Sequence, residues 1–453
     1  MKHFKLEDFL DRKIPVYILL LIFLFGICAM VSFGWAVLHV TISKYDELAS
    51  NRLGPFGEAL TTIAKFPSLV KQSLIQVRGA GPQVIEDNFP DLDGFNKSGK
   101  VQVAVLEDKG YLLLPVFDRK KGQSIAQLIR IADQQILREW VPDLDALKNI
   151  SNSEIIKSGY EILHPLLLKD GGILFKDTDG VIVKLDSSSN IEWFIDGIFH
   201  HSTEQDKEGN IWVCGEMDPP DSIIYNFVDD AIVKISPAGK VLYKKSVAQV
   251  FDENGYHELL WGGLKHSRDP IHLNDIQPVL SDSKYWKKGD LMLSIRSLST
   301  IALYRPSTNK IVWLKTGPWM LQHDVDIISD YQISVFGSHF FNVTETSELI
   351  DDNNYIFIYD FSNDAVTTSY KNAMESSEVF TRIEGLSEVL SNGDIFIEET
   401  TKGRLLRLSF DTVKWEFVRR LDKNHLARIS WSRYLTEEQV RDVLPKLLNS
   451  YNN

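Results

Sequence analysis

Gly289-Asp-Leu-Met-Leu-Ser-Ile-Arg296, Ile301-Ala-Leu-Tyr304 and Ile311-Val-Trp313 decide the fold of this chain. They are short apolar runs parted by Ser, Thr, Asn and Pro, the pattern of strands bounded by turns. The unit recurs. One copy is Gly172–Phe175, Val181–Asp186 and Ile191–Phe194, and another is Gly209–Val213, Ala231–Ser236 and Val241–Tyr243. Later copies run through Gln332–Phe336, Tyr355–Asp360 and Ala365–Thr367, then Gly393–Ile397, Arg404–Leu408 and Val413–Phe417. The first copy is Tyr111–Val116 followed by Ala126–Trp140. The period is near the roughly 40–50 residues of a propeller blade. No such sheet buries both faces alone, whereas radial stacking covers them and leaves only short edges. The expectation is an all-β fold, a single β-propeller of about six blades over residues 98–425.

Working outward, Ile14 to Leu38 contains no Asp, Glu, Lys or Arg. This run exceeds the roughly 20 residues a helix needs to cross a bilayer. It is also longer than the apolar region of about 7–15 residues in a cleaved signal peptide, so a retained anchor over 14–40 is expected. Tyr17 and Trp35 stand near its ends as interface residues. Lys2, Lys5, Arg12 and Lys13 precede the run, against Lys44 and Arg52 soon after it. By the positive-inside rule, residues 1–13 are cytoplasmic and the propeller lies on the periplasmic or extracytoplasmic side. Residues 41–97 are expected to be a stalk and linker. Spaced apolar positions over 44–76 suggest helices, and Gly, Pro, Asp and Asn dominate 77–97. Residues 426–453 are read as a C-terminal extension, with helical spacing over 437–448 that packs outside the last blades.

Net charge is −13, with no basic block beyond the N-terminus, which argues against a nucleic-acid partner. The two cysteines, Cys28 and Cys214, exclude a disulfide framework and a zinc cluster of paired thiolates. No P-loop or dinucleotide glycine motif occurs, so no cofactor is expected.

Histidines recur at the strand entrances. His164, His201 and His323 each stand eight residues before Gly172, Gly209 and Tyr331, and His272 precedes Gly289 by a longer loop. This spacing predicts that the imidazoles converge at one end of the central channel, with Asn274 two residues past His272 and Arg296 closing a strand. Histidines kept in a repeat can simply cap strands through hydrogen bonds. Four of them with an arginine and an asparagine favour a functional site. A metal site is a competing reading, since imidazole is a common ligand and Asp275 and Asp324 stand nearby. No HxH or HExxH spacing appears, however, and a guanidinium repels a divalent cation. The set suits a tetrahedral oxyanion such as sulfate or phosphate.

These residues resemble a known family. His200-His201 followed by Lys207-Glu-Gly-Asn-Ile-Trp-Val213, then His272-Leu-Asn274-Asp275, Gly289 to Arg296, Ile311-Val-Trp-Leu-Lys-Thr-Gly317 and Gln322-His323-Asp324 look like the bacterial arylsulfate sulfotransferases. The resemblance is good over about 155–345. It implies transfer of a sulfuryl group from a phenolic sulfate ester to a phenolic acceptor through a sulfohistidine, with no nucleotide sulfate donor; the missing ligand spacing and Arg296 add the expectation that no metal is needed. By motif position His323 matches the nucleophile, and His272, Asn274 and Arg296 match the groups holding the sulfuryl oxygens. His201 matches a further catalytic histidine. His200 is its alternative, and His164 is carried as a substrate-binding candidate. The chain lacks the cysteine pair of some members and has an N-terminal helix where those carry an extra β-domain. Two other classes stay open: a propeller that captures a sulfated or phosphorylated ligand without turnover, and a membrane-tethered scaffold.

Overall fold

The computed structural model describes residues 15–45, 83–95, 99–153, 155, 157, 159–218, 227–263, 267–344 and 347–449. Residues 1–80 and 81–453 form separate compact units. In the first, a helix runs Val16–Tyr45, and Val16–Trp35 is long and apolar enough to cross a membrane. The helices expected over 46–76 lie outside the described residues.

Among the described residues, the second unit is a propeller of six blades, each with four antiparallel strands counted outward from the channel. Blade II is Leu163–Leu167, Ile173–Lys176, Gly180–Leu185 and the first half of the long strand Ile191–Gln205. That strand continues inward as the first strand of blade III, followed by Ile211–Glu216, Asp230–Ile235 and Val241–Ser246. Blade IV is Leu273–Pro278, Leu291–Ile295, Thr300–Arg305 and Lys310–Thr316. Blade V is Asp324–Ile327, Gln332–Thr344, Ser347–Asp360 and Ala365–Thr367. Blade VI is Leu386–Val389, Ile395–Glu399, Arg404–Leu408 and Val413–Val418.

Each repeat therefore has one strand more than the sequence pattern suggests, and the missing one is the innermost. Leu163-His-Pro-Leu-Leu167, Leu273-Asn-Asp-Ile-Gln-Pro278, Asp324-Val-Asp-Ile327 and Leu386-Ser-Glu-Val389 are only four to six residues long. They carry polar groups toward the channel, which breaks the apolar signal of a strand.

Blade I closes the ring with both ends of the unit. Tyr111–Asp118, Gln123–Arg130 and Gln135–Trp140 come from its start, and the inner strand Arg433–Leu435 comes from beyond the boundary expected at 425. Six hydrophobic clusters fill the six blade interfaces. The one between blades VI and I joins Phe396, Leu405 and Trp415 to Leu112, Leu114 and Ile125, and the other five fill the remaining seams. Sealing each small sheet between two neighbours removes its apolar faces from water, the main stabilising term.

The inner strands are further tied by polar contacts from blade to blade. The Thr203 N–H donates to His164 Nδ1 (3.0 Å), Ile276 N–H to Ser202 Oγ (3.0 Å), Val325 N–H to Asp275 Oδ2 (3.1 Å) and Ser387 N–H to Asp324 Oδ2 (2.9 Å). Glu398 accepts from Trp431 N–H (2.7 Å) and Ser432 N–H (2.6 Å), which clamps the closing strand to blade VI. Asp275 and Asp324, weighed above as metal ligands, are thus spent on joining blades.

Two boundaries differ from expectation. Residues 84–95 are part of the fold: Val84–Glu86 pairs with His425–Ala427, and Gly94–Phe95 adds an outer strand to blade VI. The C-terminal helix is two short helices, Glu437–Arg441 and Leu444–Asn449. Val440, Val443 and Leu447 pack on blades I and II, beside Tyr111, Leu113 and Ile173, because the closing strand delivers the chain there.

Candidate active site

The turns that enter blades III, IV, V and VI and the closing strand meet around a cavity of about 430 Å³ at one mouth of the channel. His200, His201, His272, Arg296, His323, Glu384 and Trp431 line it, with Asp230, Asp269, Arg268 and Glu216. His201 and His272 take the left-handed backbone (φ 48° and 53°), as does Glu384 (φ 58°). Such conformations are uncommon for residues with a Cβ and gather at functional sites. Here they turn each entering side chain away from the strand direction.

The rings form a cluster. His201 lies 5.0 Å from His200 and 5.0 Å from His272, both edge to face, and 6.0 Å from Trp431. His200 Nδ1 and His201 Nδ1 are 2.8 Å apart. On its far side, His200 Nε2 meets Asp230 Oδ1 at 3.1 Å and the Gly215 carbonyl at 3.3 Å. His272 is held through Nδ1 by Asp269. His323 Nε2 accepts the Glu384 N–H at 3.1 Å, while its Nδ1 is buried near the Leu321 backbone with no hydrogen bond of good geometry. Arg296 is half-buried, and its Nε likewise has no protein partner.

Burial sets the charges. It drives His323 well below the usual imidazole range, helped by the charges of Arg296 and His272. His201 falls for the same reason, with His272 and His200 adding to it. Burial also pulls on His200, but the hydrogen bond and charge of Asp230 outweigh it and raise that imidazole. For Asp269 burial pushes upward, yet the bond and charge from His272 win and hold the carboxyl low. Burial lowers Arg296, and Asp269 offsets this in part.

The structure thus brings together His200, His201, His272, Arg296 and His323. It does not bring Asn274 or His164 to the cavity. Asn274 is fully buried and gives its amide N–H to the Gln322 carbonyl (3.1 Å), so it braces the residue before His323 instead of facing a ligand. His164 lies at a second cavity, of about 460 Å³, with Glu204, Asp326, Glu388 and Arg433. Its Nδ1 is the acceptor for Thr203, so this histidine is a blade tie, and burial pushes it well below the usual range.

Nor are the four histidines in one register. Asp275 pairs with Ser294 and Asp324 with Phe336, which makes Asn274 the counterpart of His323 and Leu321 (φ 47°) the counterpart of His272. His323 reaches the cavity from a different position of its blade. Glu384, Asp230, Asp269 and Trp431 were missed. Glu384 had a signal, since it stands nine residues before Gly393, close to the offset of the histidines. Asp269 also had one, standing three residues before His272 on the same loop, whereas Asp230 reaches His200 from another strand of blade III and Trp431 arrives just before the closing strand, and neither had a local signal.

Among solved structures, the chain is similar to a protein of unknown function from Bacteroides caccae, at 14% identity over 72% of this chain and 99% of that one, with TM-score 0.47. It is also similar to the Neurospora crassa Pan2 WD40 domain, at 12% identity over 67% and 78%, with TM-score 0.36. A catalytically inactive virginiamycin B lyase from Staphylococcus aureus matches at 13% identity over 67% and 82%, with TM-score 0.35. No curated protein matches the sequence. Residues 164–420, which run from the inner strand of blade II through the last strand of blade VI and include every histidine of the cavity, match the arylsulfotransferase (ASST) model, and the chain belongs to the arylsulfotransferase family.

Proposed function

We propose that this protein moves a sulfuryl group from a phenolic sulfate ester to a phenolic acceptor, by way of a histidine and without a nucleotide donor. One observation carries the reading: Arg296, with a buried Nε that has no protein partner, shares a cavity with four histidines. A buried guanidinium donor without an acceptor calls for an anion, and neutral imidazole is a competent nucleophile near neutrality.

His323 is the proposed carrier. Its lowered basicity keeps the ring neutral. Attack requires its Nε2 lone pair, which the Glu384 amide engages before substrate arrives. Giving up such a bond costs only about 0.5–1.5 kcal/mol. The nitrogen–sulfur bond forms as the ester oxygen–sulfur bond breaks, and the phenol departs. An acceptor phenol then reverses the process. Charge that spreads over the sulfuryl oxygens meets Arg296 and His272, donors already fixed at the cavity. Trp431, Leu163 and Ile383 offer the apolar surface an aryl ring needs. Asn274 acts from behind, through Gln322.

The Glu384 contact also favours a second reading. As long as Nε2 accepts that N–H, the nucleophilic lone pair of His323 is engaged, which suits a site that binds a sulfated or phosphorylated ligand without turnover. Incubation of the purified protein with 4-nitrophenyl sulfate and a phenol, with no added cofactor, separates the two. Transfer to the phenol, with the mass of one sulfuryl group on a His323 peptide, is the expected result. Tight binding with neither would leave the binding reading.

The helix Val16–Trp35 is proposed as a membrane anchor that leaves the propeller outside the cytoplasm. Protease added to intact spheroplasts is expected to remove the propeller. Full protection until lysis would reverse the orientation.

A further inference from the structure

We infer that Asp230, His200 and His201 form a proton relay that lets His201 give a proton to the departing phenolate and take one from the acceptor phenol. This rests on the sulfuryl-transfer reading above. His200 and Asp230 are 5% and 2% exposed. His200 Nε2 faces only acceptors, Asp230 Oδ1 at 3.1 Å and the Gly215 carbonyl at 3.3 Å, so it holds a proton in every state. Asp230 is itself fixed, because its other oxygen accepts the Leu273 N–H (3.2 Å) from the strand that follows His272.

The two Nδ1 atoms, 2.8 Å apart, need one proton between them. If His200 is neutral, the proton belongs to His201, and His201 Nε2 is a lone pair. If His200 is an imidazolium, its Nδ1–H donates, and His201 carries its proton on Nε2. Among the described residues His201 Nε2 has no hydrogen-bond partner, and the residue lines the cavity. Charging His200 therefore converts His201 from base to acid without placing charge on His201. The positions of the neighbours fit this division. Asp230 touches His200, and Asp179, Glu216 and Asp269 lie near it, whereas His201 faces His272, His323 and Lys176.

The protons balance. In the donor half-reaction the phenolate oxygen takes the Nε2 proton of His201 as the oxygen–sulfur bond breaks. His201 Nδ1 takes the Nδ1 proton of His200, which becomes neutral. In the acceptor half-reaction the phenol proton passes to His201 Nε2 as the new oxygen–sulfur bond forms. The His201 Nδ1 proton passes to His200, which recovers its charge beside Asp230. His200 and Asp230 are positioning residues, since neither needs to touch the substrate.

The test uses the full chain in detergent and a series of phenyl sulfates of falling phenol acidity. His200→Gln can still donate to Asp230 but cannot pass a proton. It is expected to slow release of weakly acidic phenols by about 10²-fold, to slow 4-nitrophenol release far less, and to erase the fall in wild-type rate as pH rises through the His200 ionisation. Asp230→Asn removes the charge that favours the imidazolium, so that fall moves to lower pH, and Asp230→Glu restores it. Equal loss across all leaving groups, with the pH profile unmoved, would mark a structural role and overturn the relay. If neither variant folds, nitrogen NMR of histidine-labelled wild type decides: His200 must charge and His201 must change tautomer at one pH, and independent titrations refute the coupling. A sulfuryl group found on His201 would overturn it as well. Absence of transfer by the wild type from every ester would instead overturn the sulfuryl-transfer reading.

Discussion

His323→Ala is expected to abolish both half-reactions, with turnover falling by about 10⁴-fold or more and no burst of phenol release. The size follows from the role, because a group that carries the covalent intermediate cannot be replaced by water at a comparable rate. The fold should survive. The His323 side chain meets the Glu384 amide and the Leu321 backbone, while the blade tie beside it belongs to Asp324. Rapid-quench measurement of phenol release, with peptide mass analysis of the trapped protein, checks the prediction. A full burst in the variant would sink the assignment and direct attention to His201 or His272. The pH profile adds a second check. Burial and Arg296 lower the basicity of His323, so its neutral, nucleophilic form persists on acidification. Loss of burst rate on the acid side should therefore fall below the usual imidazole value of about 6.5.

Arg296→Ala should leave the burst stoichiometry intact and slow its rate by about 10²–10³-fold, the cost of removing one preorganised donor to developing negative charge. The guanidinium has no protein acceptor at Nε, so its loss leaves no buried partner stranded and should cost little stability. Its removal also takes a positive charge from beside His323, which should rise in basicity and shift the acid limb to higher pH. Arg296→Lys should recover only part of the rate, because an ammonium cannot match two sulfuryl oxygens with a planar fork. Loss of the burst amplitude itself in Arg296→Ala would mean that the arginine forms the site instead of stabilising the transfer.

Much of the fold is visible in the sequence because outer and middle strands obey local rules. Val181–Leu185, Ala231–Ile235 and Arg404–Leu408 are packed between neighbouring blades and carry the apolar residues such strands need. Turn residues such as Asp206 and Gly209, or Asn392 and Gly393, mark where they end. The apolar N-terminal helix is equally local, since its length and lack of charge can be read directly from the chain.

The site is a different matter. Periodic spacing pointed to the entrances of blades II to V, and four of the histidines at or beside those positions line one cavity. Spacing cannot tell which way a side chain turns. His164 and His201 share a left-handed backbone and the same offset, yet one lines the second cavity and ties a neighbouring strand while the other lines the candidate site. Asn274 and His323 share a register position, yet one is spent on a carbonyl and the other meets the cavity.

By itself the sequence determined the repeat, the class of fold, the apolar N-terminal helix and the residue types at the channel mouth, because each depends on neighbours within a few positions. Only the tertiary structure decided what surrounds them. Glu384 with His323 and the strand Arg433–Leu435 in blade I are brought together by blade packing and ring closure, and Asp230 with His200 by the pairing of strands within blade III, across separations no local pattern encodes, whereas Asp269 meets His272 within one turn. Those pairings fix tautomer and charge, since desolvation and a nearby carboxylate or guanidinium act through space and not along the chain.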